Sequence, residues 1–126
     1  MKEKFSDAVV QQFEKAKEFS REGNLVGQLN IMEELVMSNP RSALFRAVLA
    51  NTFWDLGNIV KAEGEFRHAI QLSPKSEKFS LALFHCLWEQ NKKNDAFEER
   101  ERFTSLVDNS QEYEEMRHDL ESFKNN

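Results

Sequence analysis

The sequence predicts an all-α protein: an α-solenoid of three antiparallel helical hairpins closed by one further helix, with seven helices in all. Residue types recur at an interval of 34 positions, which suits one helical hairpin per repeat. The 126 residues include only four Gly and two Pro, so long stretches contain no helix breaker. A hydrophobic fraction of 40% is enough for a packed core.

The repeat appears when residue numbers are subtracted. Pro40 and Pro74 are 34 positions apart, and so are Trp54 and Trp88. The same interval separates Gly23 from Gly57, Phe45 from Phe79, Leu49 from Leu83, and Ala62 from Ala96. Three units follow, at about 9–42, 43–76 and 77–110, in a single domain that spans 1–126.

The middle unit resembles the tetratricopeptide repeat family, and the chain is similar to its small stand-alone three-repeat members. Small residues let two helices cross closely, a glycine suits the sharp turn between them, and a proline ends the second helix. The residues that carry the resemblance are Leu49, Ala50, Phe53, Gly57, Ala62, Phe66, Ala69 and Pro74. The third unit has Asn91 at the turn position, where Asn is the next-best residue.

The hydrophobic pattern predicts helices at 6–21, 25–38, 43–55, 59–72, 77–90 and 95–107, and a capping helix at 110–124. Side chains that can cap the first turn stand before four of them, namely Ser42, Asn58, Ser76 and Asn94. Asn109 with Glu112 has the spacing of a capping box.

The predicted helix 110–124 carries one apolar stripe, formed by Tyr113, Met116, Leu120 and Phe123. A solenoid needs a closing helix that is polar on its outer side, and this segment fits that role. The alternative is a detachable helix that binds a partner or a second copy.

Composition argues against several classes of function. A net charge of −5 without a basic block disfavours nucleic acid as a partner. The same charge suits a basic protein partner, or simply keeps the chain soluble.

We expect no membrane segment, because no run approaches about 20 apolar residues. We also expect a cytoplasmic location, because the N-terminus lacks a secretory pattern. No motif for a metal, a cofactor or catalysis occurs, and Cys86 is expected to be a buried structural thiol.

The resemblance implies where a partner would bind, since the first helix of each tetratricopeptide repeat lines the concave side. Carried over by position, the candidate residues are Phe13, Lys17, Arg21, Asn51, Trp54, Asp55, Lys78, His85, Trp88 and Glu89. The alternative for the two tryptophans is that they fill space between successive hairpins. A carboxylate clamp of the kind that grips chaperone tails is not expected, because only Lys78 matches its residue types.

The function that the resemblance implies is that of an adaptor or scaffold that holds a peptide, a helix or a protein. The chain also looks like small bacterial members that act as immunity proteins against toxins or as dedicated secretion chaperones. A small enzyme that uses His85 is a remote third hypothesis. A homodimer formed through surplus apolar stripes is a further possibility.

Overall fold

A computed structural model describes residues 4–108 and 111–115. Its helices are α1 (Asp7–Arg21), α2 (Leu25–Ser38), α3 (Ala43–Asp55), α4 (Ile59–Leu72), α5 (Glu77–Glu89) and α6 (Lys93–Leu106). Residues 111–115 are also helical, and neither described range contains a strand. The all-α, seven-helix prediction is confirmed. The predicted helix 110–124 is described only over 111–115, and Asn109 lies outside the described residues.

The chain divides into two compact units. Unit 1 (Met1–Ser73) contains α1 to α4, and unit 2 (Pro74–Asn126) contains α5, α6 and the helical residues 111–115. Within unit 1, α1 contacts α2, α2 contacts α3, and α3 contacts α4, while α5 contacts α6 in unit 2. Consecutive helices therefore pack as antiparallel hairpins, as the repeat predicts.

Each hairpin turn contains one residue with a left-handed backbone. Gly23, Gly57 and Asn91 have φ values of 75°, 84° and 62°. The residue after each of them donates its amide to a carbonyl five positions back, as Asn58 does to Phe53 at 2.8 Å. This bond satisfies a carbonyl that the helix end would otherwise leave free. The prediction that Asn91 replaces the turn glycine is confirmed.

Three of the four predicted helix caps are confirmed. The side chains of Ser42, Asn58 and Ser76 accept from backbone amides in the first turns of α3, α4 and α5. The prediction for Asn94 is wrong, because α6 begins at Lys93 and its N-cap is Lys92, which makes no side-chain cap bond. The turn fixes this start: the N-cap follows the left-handed residue directly, as Asn58 follows Gly57.

Small residues lie where the helices of unit 1 cross, as the repeat signature requires. Ala50, Ala62 and Ala69 are fully buried, and Phe66 fills the space beside them. Phe45 of α3 is also fully buried. Its ring stacks on Phe5 at a centroid distance of 4.5 Å. Phe5, which precedes α1, therefore packs onto α3.

Candidate functional site

The first helices of the two hairpins in unit 1 present one common side of the molecule. Phe13 of α1 lies 5.2 Å from Phe45 of α3, measured between ring centroids. Residues 34 positions apart occupy equivalent places in stacked repeats, so their side chains line the same side. We call this surface the inner face of unit 1 and define it by Val10, Phe13, Lys17, Arg21, Leu44, Asn51, Trp54 and Asp55.

All six predicted site residues of unit 1 reach solvent at least in part. Lys17, Arg21, Asn51 and Asp55 are exposed, and Phe13 and Trp54 are half-buried. Val10 and Leu44, which the sequence did not single out as site residues, are 46% and 37% exposed. The inner face therefore combines apolar and charged side chains.

The charges on the inner face differ in how they are balanced. The ammonium group of Lys17 lies 3.3 Å from a carboxylate oxygen of Glu14, and it also lies 4.9 Å from the centre of the Phe13 ring. Arg21 and Asp55 have no ion-pair partner within residues 4–108 and 111–115. These two charges are thus available to another molecule.

Trp54 contributes both to packing and to the surface. Its ring meets Phe66 of α4 edge to face, with centroids 6.0 Å apart. It nevertheless stays half-buried, so part of the indole faces solvent. An aromatic ring fixed on one side by the core and open on the other is a typical anchor for a binding partner.

In unit 2, the ring of Trp88 contacts three side chains of its own hairpin. Its ring stacks on Phe84 at 5.8 Å and meets Phe97 edge to face at 5.8 Å. The ammonium group of Lys93 lies 5.4 Å from its centre. Trp88 is half-buried, and packing within its own hairpin accounts for much of that burial.

The other predicted residues of unit 2, Lys78, His85 and Glu89, are exposed. His85 meets Phe84 edge to face at 5.8 Å. Within the described ranges, no group of three or more His, Cys, Asp or Glu side chains could hold a metal ion. Cys86 is buried, as predicted. The grouping of the ten predicted residues into one binding site stays a prediction.

The surplus apolar stripes are partly covered. The sequence predicts a second, partly apolar stripe on each of two helices, namely Leu44, Ala47, Val48, Asn51 and Trp54 on α3, and Lys78, Leu81, Ala82, His85 and Trp88 on α5. In the middle of these stripes, Ala47 and Leu81 are only 6% and 7% exposed. On α3, Leu44 at the N-terminal end is 37% exposed and Trp54 near the C-terminal end is half-buried. Helical periodicity indicates the direction of a side chain, but burial depends on the neighbouring helices.

The structure also contains a buried polar cluster that the sequence did not reveal. In unit 2 the Ser80 hydroxyl donates to Glu99 Oε2 at 2.6 Å, and the hydroxyl oxygens of Ser80 and Tyr113 lie 2.8 Å apart. Arg102 donates to both carboxylate oxygens of Glu99 at 2.7 Å and to the Pro74 carbonyl at 2.9 Å. In the sequence, the only indication of this cluster is a Glu that recurs one repeat apart, at residues 65 and 99.

Electrostatics in this cluster favour a structural role. The hydrogen bonds to Glu99 raise the pKa of Arg102, which keeps the guanidinium charged. Burial raises the pKa of Tyr113 and keeps its phenol neutral. Arg102 and Tyr113 are therefore both held in their ordinary protonation states. The hydrogen bonds of the cluster join α5, α6 and the segment at 111–115.

Unit 1 contains a related ion pair at the equivalent place. Arg46 of α3 donates to Glu65 of α4 at 3.1 Å and to the Pro40 carbonyl at 3.4 Å. Glu65 is the repeat equivalent of Glu99, and Pro40 that of Pro74. The arginine, however, comes from the first helix of the hairpin in unit 1 and from the second helix in unit 2.

The predicted site residues line neither of two depressions found in unit 1. These depressions, of about 430 and 170 Å³, are lined by other side chains, including Phe5, Pro40 and His68. Of the helices described, none combines the length and the apolar character that crossing a bilayer requires.

The solved structures that are similar to this chain agree with the fold described above. No family model and no curated protein matches the chain. The first TPR domain of Spaghetti (RPAP3), bound to an HSP90 peptide, is similar with a TM-score of 0.79, at 16% identity over 97% of each chain. The type III secretion chaperone SycD of Yersinia enterocolitica, in complex with a peptide of the translocator YopD, is similar with a TM-score of 0.77. It is 17% identical over 94% of this chain and 90% of SycD. The CopN–Scc3 complex contains a chain with a TM-score of 0.79, at 13% identity over 94% of this chain and 70% of that one.

Proposed function

We propose that this chain, whose fold is that of the tetratricopeptide helical repeats, is a protein–protein interaction module. It binds a peptide, a helix or a protein on the side lined by the first helices of its hairpins. The observation that carries the proposal is the inner face of unit 1, where a half-buried tryptophan, Trp54, is surrounded by exposed polar and charged side chains.

Proteins of the same fold support this proposal. RPAP3 binds an HSP90 peptide, SycD binds a YopD peptide, and Scc3 forms a complex with CopN. The site residues of this chain differ from a carboxylate clamp, so its partner is expected to be of another kind. The proposal includes Lys78, His85, Trp88 and Glu89 of unit 2 as further contact residues.

The test is capture of a partner from the native host by the tagged full chain, with identification by mass spectrometry. Asn51→Arg and Asp55→Arg place large charged side chains on the inner face at exposed positions, and we expect them to abolish capture. Val60→Arg is the matched control, because Val60 is 70% exposed on α4, outside the inner face. Circular dichroism verifies that every variant folds.

Trp54→Ala and Trp88→Ala form a second arm of the same experiment. Both rings also pack against their own hairpins, so a loss of capture is informative only for variants that keep the wild-type helical content. Capture that is unchanged in the Asn51, Asp55 and Trp54 variants would remove this face from consideration.

A second candidate is a narrower role as a dedicated chaperone or an immunity protein. The acidic balance, with a net charge of −5, suits a basic partner held in the bacterial cytoplasm. A captured secreted protein that aggregates without the chain would indicate a chaperone, and a captured toxin that the chain inhibits would indicate immunity. Light scattering of the purified chain decides whether it acts as a homodimer.

We propose no enzymatic activity and no cofactor. His85 is exposed, and its closest aromatic neighbour is Phe84. Within the described residues it has no ion pair with a carboxylate and no hydrogen bond that would orient it as a base. Catalysis of any reaction by the purified chain that His85→Ala removes would overturn this part of the proposal.

A further inference from the structure

We propose that the inner face of unit 1 binds a short partner segment that carries apolar residues at one end and one acidic and one basic residue at the other. Arg21 would bind the acidic side chain and Asp55 the basic one. This inference rests on the proposed function, and it specifies the chemistry of the partner.

The inner face of unit 1 has exposed aliphatic side chains at one end and two exposed opposite charges at the other. Val10 and Leu44, one repeat apart, form an apolar end that is 46% and 37% exposed. The opposite end carries the exposed charges of Arg21 and Asp55, also one repeat apart, beside the half-buried Trp54. The two ends are separated by eleven residues on each helix, or about 16 Å at about 1.5 Å per residue.

The two opposite charges at this end of the face are not joined to each other. Arg21 and Asp55 stand on neighbouring first helices and carry opposite charges, yet they do not form an ion pair with each other. Lys17 differs, because Glu14 already balances its charge. A ligand that places an acid and a base between the two helices would complete both interactions at once.

The position of Asp55 is an independent indication. It is the last residue of α3, and the last turn of that helix contains no basic residue. A negative charge at a helix C-terminus opposes the helix dipole and lowers stability. A residue that opposes such a local preference, with no nearby opposite charge to offset it, is typical of a functional position. A basic group in the partner would supply the missing compensation.

The size of the face indicates a segment in preference to a second copy of the chain. Neighbouring helix axes are about 10 Å apart, so the surface between the two ends measures about 16 by 10 Å. A stable dimer buries about 800 Å² on each partner, several times that area. About five residues of an extended peptide, at about 3.3 Å each, span the same length.

Selection of random twelve-residue peptides by phage display tests the proposal on the full chain. The wild type should enrich peptides in which two apolar residues are separated by three to five positions from an acidic and a basic residue. Arg21→Glu should replace the acidic preference with a basic one, and Asp55→Lys should replace the basic preference with an acidic one. Arg67→Glu, a charge reversal at an exposed position of α4, should leave the selection unchanged.

A synthetic peptide from the wild-type selection then measures the effect. Arg21→Glu should weaken its binding by about tenfold or more, and reversing the acidic residue of the peptide should recover most of that loss. Asp55→Asn should reduce the preference for the basic residue while raising the thermal midpoint of the protein. This combination separates a binding role from a structural one.

Three results would overturn the inference: the same charge preference in wild type and Arg21→Glu, no enrichment from the wild type, or a homodimer that Leu44→Arg dissociates. The proposed function is tested separately by partner capture. Capture that is lost in Asn51→Arg, together with unchanged charge selection in Arg21→Glu, would retain the function and reject this partner chemistry.

Discussion

The hydroxyl oxygens of Ser80 and Tyr113 lie 2.8 Å apart, and Ser80 also donates to Glu99 at 2.6 Å. A serine hydroxyl has one proton, which the bond to Glu99 uses. Tyr113 is therefore the donor in its bond to Ser80, and it must keep its own proton to make that bond. This relationship ties the helical segment at 111–115 to the hairpin of α5 and α6.

The ionisation of Tyr113 should be suppressed in the folded protein, because burial raises its pKa. Tyr113 is the single tyrosine of the chain, so phenolate absorbance near 295 nm reports on it alone. We expect the absorbance change of the folded protein to begin well above pH 10, whereas the urea-unfolded chain titrates near pH 10. A folded-state titration that coincides with the unfolded one would contradict the buried position.

The same shift predicts how stability depends on pH. The folded-state pKa lies above the unfolded one, so this contribution is complete below about pH 10 and declines above it, by at most about 1.4 kcal/mol per pH unit. Urea unfolding at a series of pH values measures the decline. Tyr113→Phe, which removes the titrating group, should show a smaller decline over the same interval.

Removing the cation from the ion pair between Arg102 and Glu99 should destabilise the protein far more than breaking a surface pair does. The Glu99 side chain is only 6% exposed, so Arg102→Met would leave a buried carboxylate without its cation. We expect a loss of about 3 kcal/mol in the free energy of unfolding, measured by urea. Arg67→Met is the matched control, since Arg67 is 48% exposed and its pair should contribute less than about 1 kcal/mol.

A double variant tests whether the buried charge causes that loss. Glu99→Gln combined with Arg102→Met removes the charge as well as its partner. It should therefore unfold at a higher urea concentration than Arg102→Met alone. If the double variant instead unfolds at a lower urea concentration than Arg102→Met, Arg102 stabilises unit 2 through packing.

The two arginine positions should be interchangeable between the hairpins. Arg46→Ser removes the bonds to Glu65 and should cost about 1.5 kcal/mol. His68→Arg places an arginine at the repeat equivalent of Arg102, three residues after Glu65. The combined variant should regain most of the lost free energy of unfolding. If it is no more stable than Arg46→Ser, the two hairpins differ in backbone geometry at this site.

The start of α6 offers a simple gain in stability. Lys92 is its N-cap and makes no side-chain cap bond, whereas Asn24 and Asn58 cap the equivalent helices. Lys92→Asn should raise the free energy of unfolding by about 1 kcal/mol. Asn94→Ala is the control and should have little effect, because Asn94 lies inside the helix. A large loss in the control would show that Asn94 acts as a cap after all.

How far the sequence predicted the candidate site depends on the residue. The repeat register placed Arg21, Asn51 and Asp55 on exposed positions of first helices, where the structure has them. It could not predict that Trp54 also packs on Phe66, or that Val10 and Leu44 leave an apolar end open. Those properties depend on how closely neighbouring helices approach each other.

By itself, the sequence determined the all-α class, the 34-residue register, the turns at Gly23, Gly57 and Asn91, and most of the helix ends. These features are local, since a left-handed backbone, a cap or a proline acts within a few residues of its own position. Only the tertiary structure decided that Ser80, Glu99, Arg102 and Tyr113 form one buried cluster, and that Arg21 and Asp55 do not form an ion pair with each other. Helical periodicity fixes the direction in which a side chain points around its own axis. The distance between side chains on different helices is set by the packing of those helices, and hydrogen bonds and ion pairs depend on that distance.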